Sequence, residues 1–150
     1  MKKLITRAAM VVFLAAGVCG AASADDASGR CTSETLRGRY VFSARGFVII
    51  AGVAQPKALI EVIDFNGDGT LVVPAATRSV GGMITRSAPS VGSYAVTDDC
   101  LGTITFDGPT FDVFISPRGS QFWLIQTNPN SVFEGSATRT SRQLLDGDQY

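Results

Sequence analysis

Short runs of apolar and β-branched residues follow one another along most of the chain, separated by clusters of Gly, Asn, Asp and Pro. Within many runs a large apolar residue stands at every second position, which is the pattern of a strand with one buried face. The spacing of an amphipathic helix is not repeated anywhere along these runs. The predicted strands cover 39–44, 47–50, 58–63, 70–73, 78–85, 92–97, 101–106, 111–116, 121–127 and 131–138.

The links between these runs are short, so strands adjacent in sequence are expected to pair antiparallel through hairpins. We expect 47–50 to continue 39–44 past a bend at Gly46, and Gly81-Gly82 to interrupt a weaker strand at 78–85. A meander of about eight strands leaves two exposed edges, and closure removes them. We therefore predict an all-β domain forming a single antiparallel up-and-down β-barrel of about eight strands, with a β-sandwich as the alternative.

The N-terminus has the layout of a secretory signal peptide. A basic start is followed by an uncharged apolar run at 8–18, by Ala22-Ser23-Ala24, and then by Asp25. The apolar run is shorter than the ~20 residues that span a bilayer. We predict that residues 1–24 are cleaved, that the mature protein begins at Asp25 without a membrane anchor, and that it is secreted or periplasmic.

Two alternatives compete with cleavage at this site: a retained membrane anchor, and a lipoprotein acylated on Cys19. A lipoprotein signal has a small residue before the cysteine and usually Leu three residues before it. Val18 and Ala16 stand at these positions. The small residues before Asp25 therefore favour the signal peptide.

After the signal, we predict an N-terminal segment at 25–37, the barrel domain at 38–140 and a flexible tail at 141–150. One short helical turn at 32–37 closes the N-terminal segment, with Thr32 or Ser33 as its cap. The full chain has 13 basic and 13 acidic residues, and three of the basic residues lie in the signal. The mature chain is thus slightly acidic and has no basic stripe, so nucleic acid is not an expected partner.

The cysteines predict a disulfide, and the absence of histidine excludes several classes of catalytic and metal site. Cys31 and Cys100 are the two cysteines outside the signal, and in an oxidising compartment they are expected to form one disulfide. Such a bond closes a loop of roughly 70 residues and stabilises the fold by about 4 kcal/mol in the chain-entropy estimate. The chain has no histidine, which excludes Ser-His-Asp and Cys-His catalysis and most zinc and copper sites.

The segment from Asp64 to Gly69 matches the opening of an EF-hand calcium loop. The twelfth position, which needs a bidentate Glu, is Ala75, and the flanking segments are predicted strands. The Asn-Gly and Asp-Gly pairs in this segment favour a hairpin turn instead. We predict the turn, no metal site and no cofactor, with a weak calcium site as the alternative.

Glu61 interrupts the apolar run at 58–63 and is the candidate catalytic residue. If Leu59 and Ile63 face inward, Glu61 faces inward too, and its carboxyl could act as a general acid or base. If Ile60 and Val62 face inward instead, Glu61 meets solvent. Alternation alone does not choose between these registers.

Two other carboxylates, those of Asp112 and Glu134, have the same ambiguity, and their simplest role is on the outer face or paired with an arginine. Most of the aromatic residues are expected in the core. Four of them are the candidates for lining a ligand pocket: Tyr40, Phe42, Tyr94 and Phe111.

Several turn and aromatic motifs occur in a distinctive order. They are Gly38-x-Tyr40-x-Phe42, Phe65-Asn66-Gly67-Asp68-Gly69-Thr70, Gly92-Ser93-Tyr94-Ala95-Val96-x-x-Asp99-Cys100-x-Gly102-Thr103, Phe111-Asp112 and Phe122-x-x-Ile125-Gln126-Thr127. Over roughly 31–139 the chain resembles small secreted bacterial proteins of unknown function with the calycin-like barrel of allene oxide cyclase. The resemblance implies an apolar cavity and, in the plant cyclases, isomerisation of a fatty-acid epoxide. No catalytic residue of that family matches a position here.

The sequence therefore favours an exported binding or interaction module, with an apolar pocket for a lipid-like small molecule. One alternative is a cofactor-free cyclase or isomerase of allene oxide cyclase type that uses Glu61. Another is an envelope-structural protein with a filled core and no small ligand.

Overall fold

The computed structural model describes residues 30–87 and 89–144, and in this part of the chain a short 3₁₀-helix precedes nine strands. The elements are the 3₁₀-helix (Ser33–Leu36), β1 (Gly38–Ile50), β2 (Val53–Phe65), β3 (Thr70–Val80), β4 (Met83–Ser87), β5 (Ser90–Val96), β6 (Leu101–Thr105), β7 (Thr110–Ile115), β8 (Gln121–Gln126) and β9 (Ser131–Ser141). The predicted signal peptide, its cleavage before Asp25, and Cys19 lie outside the described residues, as does 145–150 of the predicted tail.

Eight of these strands close into an antiparallel barrel. They follow one another in the order β1-β2-β3-β5-β6-β7-β8-β9, and β9 pairs with β1. Neighbours around the wall are also neighbours along the chain, apart from the β3–β5 and β9–β1 pairs. The predicted up-and-down barrel is confirmed, and the sandwich alternative is wrong because pairing of β1 with β9 joins what would be two free edges.

The additional strand is β4, and it corrects the prediction for 78–85. That segment is not one interrupted strand, because Gly81 and Gly82 have φ angles of 55° and 87° and form a tight turn between β3 and β4. β4 pairs with the second half of β3, from Ala76 to Val80. β5 pairs with the first half, from Thr70 to Val73. In the described part of the chain β4 pairs only with β3, so it is not one of the eight strands that close the barrel.

The long first hairpin, β1–β2, supplies much of the interior. The segment 47–50 continues 39–44 past Gly46, as predicted, and both belong to β1, which ends at Ile50. Every second residue of β1 from Gly38 to Ala44 is buried, and the intervening residues face solvent or are only partly covered. Phe42 of β1 lies opposite Glu61 of β2, so both belong to the inner face.

One end of the barrel is filled by aromatic rings. Phe65 is fully buried, and its ring centroid lies 4.9 Å from that of Tyr94, 5.2 Å from that of Tyr40 and 5.6 Å from that of Phe122. Leu36 of the 3₁₀-helix is also fully buried and belongs to the same core. We call this the closed end.

Polar contacts hold the 3₁₀-helix on the closed end. Arg139 donates from Nε to the Tyr40 hydroxyl over 2.9 Å and from a terminal nitrogen to the Thr35 carbonyl, while Tyr40 donates to the Gly119 carbonyl. A Cβ atom at Gly119 would lie 2.0 Å from the Thr35 carbonyl oxygen, so only glycine permits this approach. Burial raises the pKa of the Tyr40 hydroxyl, and the Arg139 charge opposes this effect.

The predicted disulfide is confirmed. Cys31 and Cys100 are bonded with their Cα atoms 4.9 Å apart, and both residues are buried. The Cys31 amide also donates to the Asp98 carbonyl over 3.0 Å. The bond therefore ties the segment before the 3₁₀-helix to the β5–β6 turn at the closed end.

Candidate functional site at the open end of the barrel

The opposite end of the barrel, which we call the open end, contains a cavity of about 540 Å³. Its walls come from β2, β3, β5, β7 and β9, from the end of β4 and from the β6–β7 turn. The lining residues are Lys57, Leu59, Glu61, Ala76, Arg78, Ser87, Ser90, Val91, Phe106, Asp107, Pro109, Phe111 and Phe133. A volume of this size suits one small ligand, and the lining combines apolar walls with a few charged groups.

Glu61 faces the interior because of the register between β2 and its two neighbours. It lies opposite Phe42 of β1 and Ala76 of β3, whereas Ile60, the preceding residue, is 59% exposed on the outer face. The register with Ile60 and Val62 inward is therefore wrong. Burial raises the pKa of the Glu61 carboxyl from 4.5 to about 7, and the charge of Lys57 partly offsets this rise.

Lys57 stands on the same face of β2, at the mouth of the cavity. Its Nζ lies 3.9 Å from the centroid of the Phe133 ring and donates to the Gln126 side-chain carbonyl over 3.1 Å. Burial lowers the pKa of Lys57, repulsion from Arg78 lowers it further, and attraction to Glu61 opposes both effects. No salt bridge pairs Lys57 or Glu61 with another of the described residues.

A hydrogen-bonded network sets the position of the Lys57 ammonium group. The Gln126 side-chain carbonyl also accepts from the Ser131 hydroxyl over 2.7 Å, and its amide nitrogen donates to the Asn128 side chain over 3.1 Å. Asn128 in turn accepts from the Thr110 amide and donates to the Gly108 carbonyl. The network links the β6–β7 and β8–β9 turns, so it holds the rim of the cavity together with Lys57.

The aromatic wall of the cavity depends on a glycine in β5. A Cβ atom at Gly92 would lie 2.9 Å and 3.0 Å from two carbons of the Phe106 ring, so a side chain at this position would displace the ring. Phe106 meets Phe111 edge to face, with centroids 6.2 Å apart. These rings form the apolar side of the cavity opposite the charged groups of β2 and β3.

The structure separates the four aromatic residues predicted to line a pocket. Phe111 lines the cavity, and Phe42 lies deeper, opposite Glu61 in the β1–β2 register. Tyr40 and Tyr94 belong to the closed end. The Tyr94 hydroxyl accepts from the Gly67 amide and donates to the Ser33 carbonyl, 3.0 Å in each case.

The segment from Asp64 to Gly69 forms the β2–β3 hairpin turn, as the sequence predicts. The Asp64 carboxylate forms a two-bond ion pair with Arg39, at 2.7 Å and 2.6 Å. Asp68 accepts from the backbone amide and the hydroxyl of Thr70, and these bonds lower the pKa of its carboxyl. Within the described residues, no group of three or more His, Cys, Asp or Glu side chains could hold a metal ion.

The other two carboxylates considered in the sequence, Asp112 and Glu134, are exposed on the outer face. Lys57, Arg78 and Phe133 are site residues that sequence reasoning did not single out. Lys57 had a usable signal, because it lies four residues before Glu61 and period-two alternation places both on one face. Phe133 had none, since its approach to Lys57 depends on barrel closure.

Comparison with protein-family models, with curated proteins and with solved structures finds no match for this chain. The described residues include no helix long and apolar enough to cross a membrane. The class that the geometry defines is a closed, eight-stranded antiparallel β-barrel with an extra strand, filled at one end and hollow at the other.

Proposed function

We propose that this protein is an exported binding barrel for a small, mainly apolar molecule that carries one acidic group. The observation that carries the proposal is the cavity at the open end, where apolar walls surround Lys57, Arg78 and Glu61. A hydrophobic pocket with a few convergent polar groups is the usual form of a small-molecule site. The eight-stranded barrel is also of the size that can hold one small ligand.

The charged groups of the cavity favour an acidic group on the ligand. Lys57 and Arg78 are cations without a carboxylate partner at salt-bridge distance among the described residues. Glu61 has a pKa of about 7, so near neutrality much of it is protonated and can donate a hydrogen bond. An anionic oxygen would accept from both kinds of group, while its apolar portion would cover Leu59, Phe106 and Phe111.

Two features support export. The disulfide is of a kind that persists in oxidising compartments. The first 24 residues have the composition of a signal peptide, and sequencing of the N-terminus of the accumulated protein should give Asp25. An intact Met1 or an acylated Cys19 would contradict this part of the proposal.

Native mass spectrometry of protein purified from the compartment where it accumulates tests the binding proposal. We expect an added mass that dissociates on activation and is recovered as an organic acid. A fluorescent fatty-acid probe then measures affinity, and Lys57→Met should weaken its binding by about tenfold because a charge-assisted contact is lost. Arg45→Met, which removes a cation from the outer face of β1, is the matched control and should bind the probe normally.

Two results would contradict the proposal. If neither a retained mass nor probe binding appears, the open end does not act as a ligand site, and the structural alternative with no small ligand gains support. If Lys57→Met and Arg45→Met weaken the probe equally, binding depends on general charge rather than on the cavity.

A second candidate function is a cofactor-free isomerase, and the raised pKa of Glu61 favours it. A group that titrates near the working pH can both accept and donate a proton during a reaction. The resemblance to allene oxide cyclase suggests a fatty-acid epoxide as the test substrate. Chromatographic appearance of a cyclised isomer, abolished in Glu61→Gln while probe binding is retained, would identify this activity.

A further inference from the structure

We propose that two neighbouring hairpin tips at the open end dock onto an anionic lipid bilayer. The first tip joins β1 to β2 and presents Ile49, Ile50 and Val53. The second joins β3 to β4 and presents Met83 and Ile84. This inference does not depend on the ligand proposed for the cavity.

Four of these five side chains are more than half exposed. Met83 is 78% exposed, Ile84 59%, Val53 57% and Ile50 54%. The two tips lie side by side, since the Gly81 amide of the second donates to the Pro56 carbonyl beside the first over 2.9 Å. The result is one apolar projection at one end of the molecule, formed by turns rather than by a concave surface.

The charged residues nearest the two tips are cations, whereas the carboxylates of the open end, Glu61 and Asp107, line the cavity. Residues 46–60 and 69–87 contain Lys57, Arg78 and Arg86, and no Asp or Glu. Arg78 and Arg86 are exposed. Exposed apolar side chains next to cations match the chemistry of a bilayer that carries anionic headgroups, because burial at the headgroup boundary and attraction to the lipid charge act together.

A second copy of the chain is the competing occupant. A two-fold interface uses the same patch on both subunits. In a symmetric contact between the tips, the cations of one copy would therefore face the same cations of the other. Like charges facing each other across an interface oppose association. The charge pattern therefore favours the anionic bilayer.

A vesicle-binding assay tests the inference. It uses the protein as it is purified from the cells that produce it. We expect co-sedimentation with vesicles of phosphatidylglycerol and phosphatidylcholine in equal parts, and weak binding to vesicles of phosphatidylcholine alone. The double variant Ile50→Ser/Met83→Ser should bind the mixed vesicles about tenfold more weakly. The control Leu101→Ser removes a side chain that is 42% exposed at the closed end, and it should bind like the parent protein.

A tryptophan reporter shows which part of the molecule enters the lipid. The chain has a single tryptophan, Trp123, so Trp123→Phe/Ile84→Trp moves the fluorophore to the second tip. Brominated acyl chains should quench this reporter and leave Trp123 of the parent protein largely unaffected. Equal binding to both vesicle types, unchanged binding of the double variant, an unquenched reporter, or a dimer in solution that the double variant abolishes would each overturn the inference.

Discussion

At the closed end of the barrel, the rings of Tyr40 and Phe65 fill the interior from β1 and β2. At the open end, inward positions of the same two strands hold Ala44, a small residue, and Glu61, a charged one. The backbone of the wall is continuous between the two ends. The difference in side-chain volume and charge along one hairpin therefore decides which end is a packed core and which is a cavity.

The contrast also separates the contacts that stabilise the fold from the charged groups of the proposed ligand site. The disulfide, the 3₁₀-helix and the Arg139–Tyr40 contact all belong to the closed end. Lys57, which has no carboxylate at salt-bridge distance among the described residues, and Glu61, whose carboxyl pKa is raised, belong to the open end. Such groups are costly to bury and are retained most often where a ligand meets them.

The largest expected effect is the loss of a ring from the closed end. Phe65→Ala should lower the free energy of unfolding by about 3–5 kcal/mol, because it removes a fully buried ring that contacts three others. The matched variant Phe106→Ala, at the partly exposed cavity wall, should cost less than about 2 kcal/mol. Denaturant unfolding measures both, and equal losses would contradict the division between a filled and a hollow end.

Removal of the disulfide should have the next largest effect. The double variant Cys31→Ser/Cys100→Ser should lose roughly 2–4 kcal/mol of stability, because the unfolded chain gains the freedom of a loop with a sequence separation of 69. The oxidised parent protein should show no titratable thiol from these two residues. If reductant leaves its unfolding midpoint unchanged, the bond does not contribute as expected.

The third effect is a pH dependence that originates at the open end. The folded-state pKa of Glu61 is raised from 4.5 to about 7, so the folded protein holds a proton that the unfolded chain has released. The resulting stabilisation is present below pH 4.5 and is lost as the pH rises towards 7. The loss should reach at most about 3 kcal/mol, because the carboxyl keeps partial contact with solvent.

Glu61→Gln should remove most of this pH dependence and be more stable than the parent protein above pH 7. Glu134→Gln, which removes an exposed carboxylate from the outer face, is the control and should leave the pH profile unchanged. A flat profile in the parent protein would show that Glu61 is hydrated rather than buried.

The smallest expected effect is that of calcium at the closed end. The Asp64 carboxylate is held by Arg39, and one oxygen of the Asp68 carboxylate accepts from Thr70, so a cation would have to compete with these contacts. Micromolar calcium should leave the melting temperature unchanged. A rise of several degrees that a chelator reverses would show that the β2–β3 turn binds the ion after all.

Much of the fold follows from local chemistry that the chain itself carries. The alternation of apolar and polar residues places most of the strands, and the pairs at Asn66-Gly67 and Asp68-Gly69 place a hairpin turn. For Gly81-Gly82 the sequence predicts an interruption and the structure has a turn, because glycine pairs permit both and only the pairing of β4 with β3 decides. The sequence also does not distinguish which of the four candidate aromatic residues line the cavity, because aromatic residues are common both in a packed core and in a cavity wall.

By itself, the sequence determined an all-β barrel, the Cys31–Cys100 bond and the turn at the EF-hand-like segment, because each depends on residues near one another or on the only available partners. Tertiary structure alone decided the facing of Glu61. Leu59 and Ile60 are equally apolar neighbours, so either face of β2 could be buried until β1 and β3 set its register. The approach of Lys57 to Phe133 likewise arises only when β9 returns to β1 and closes the wall.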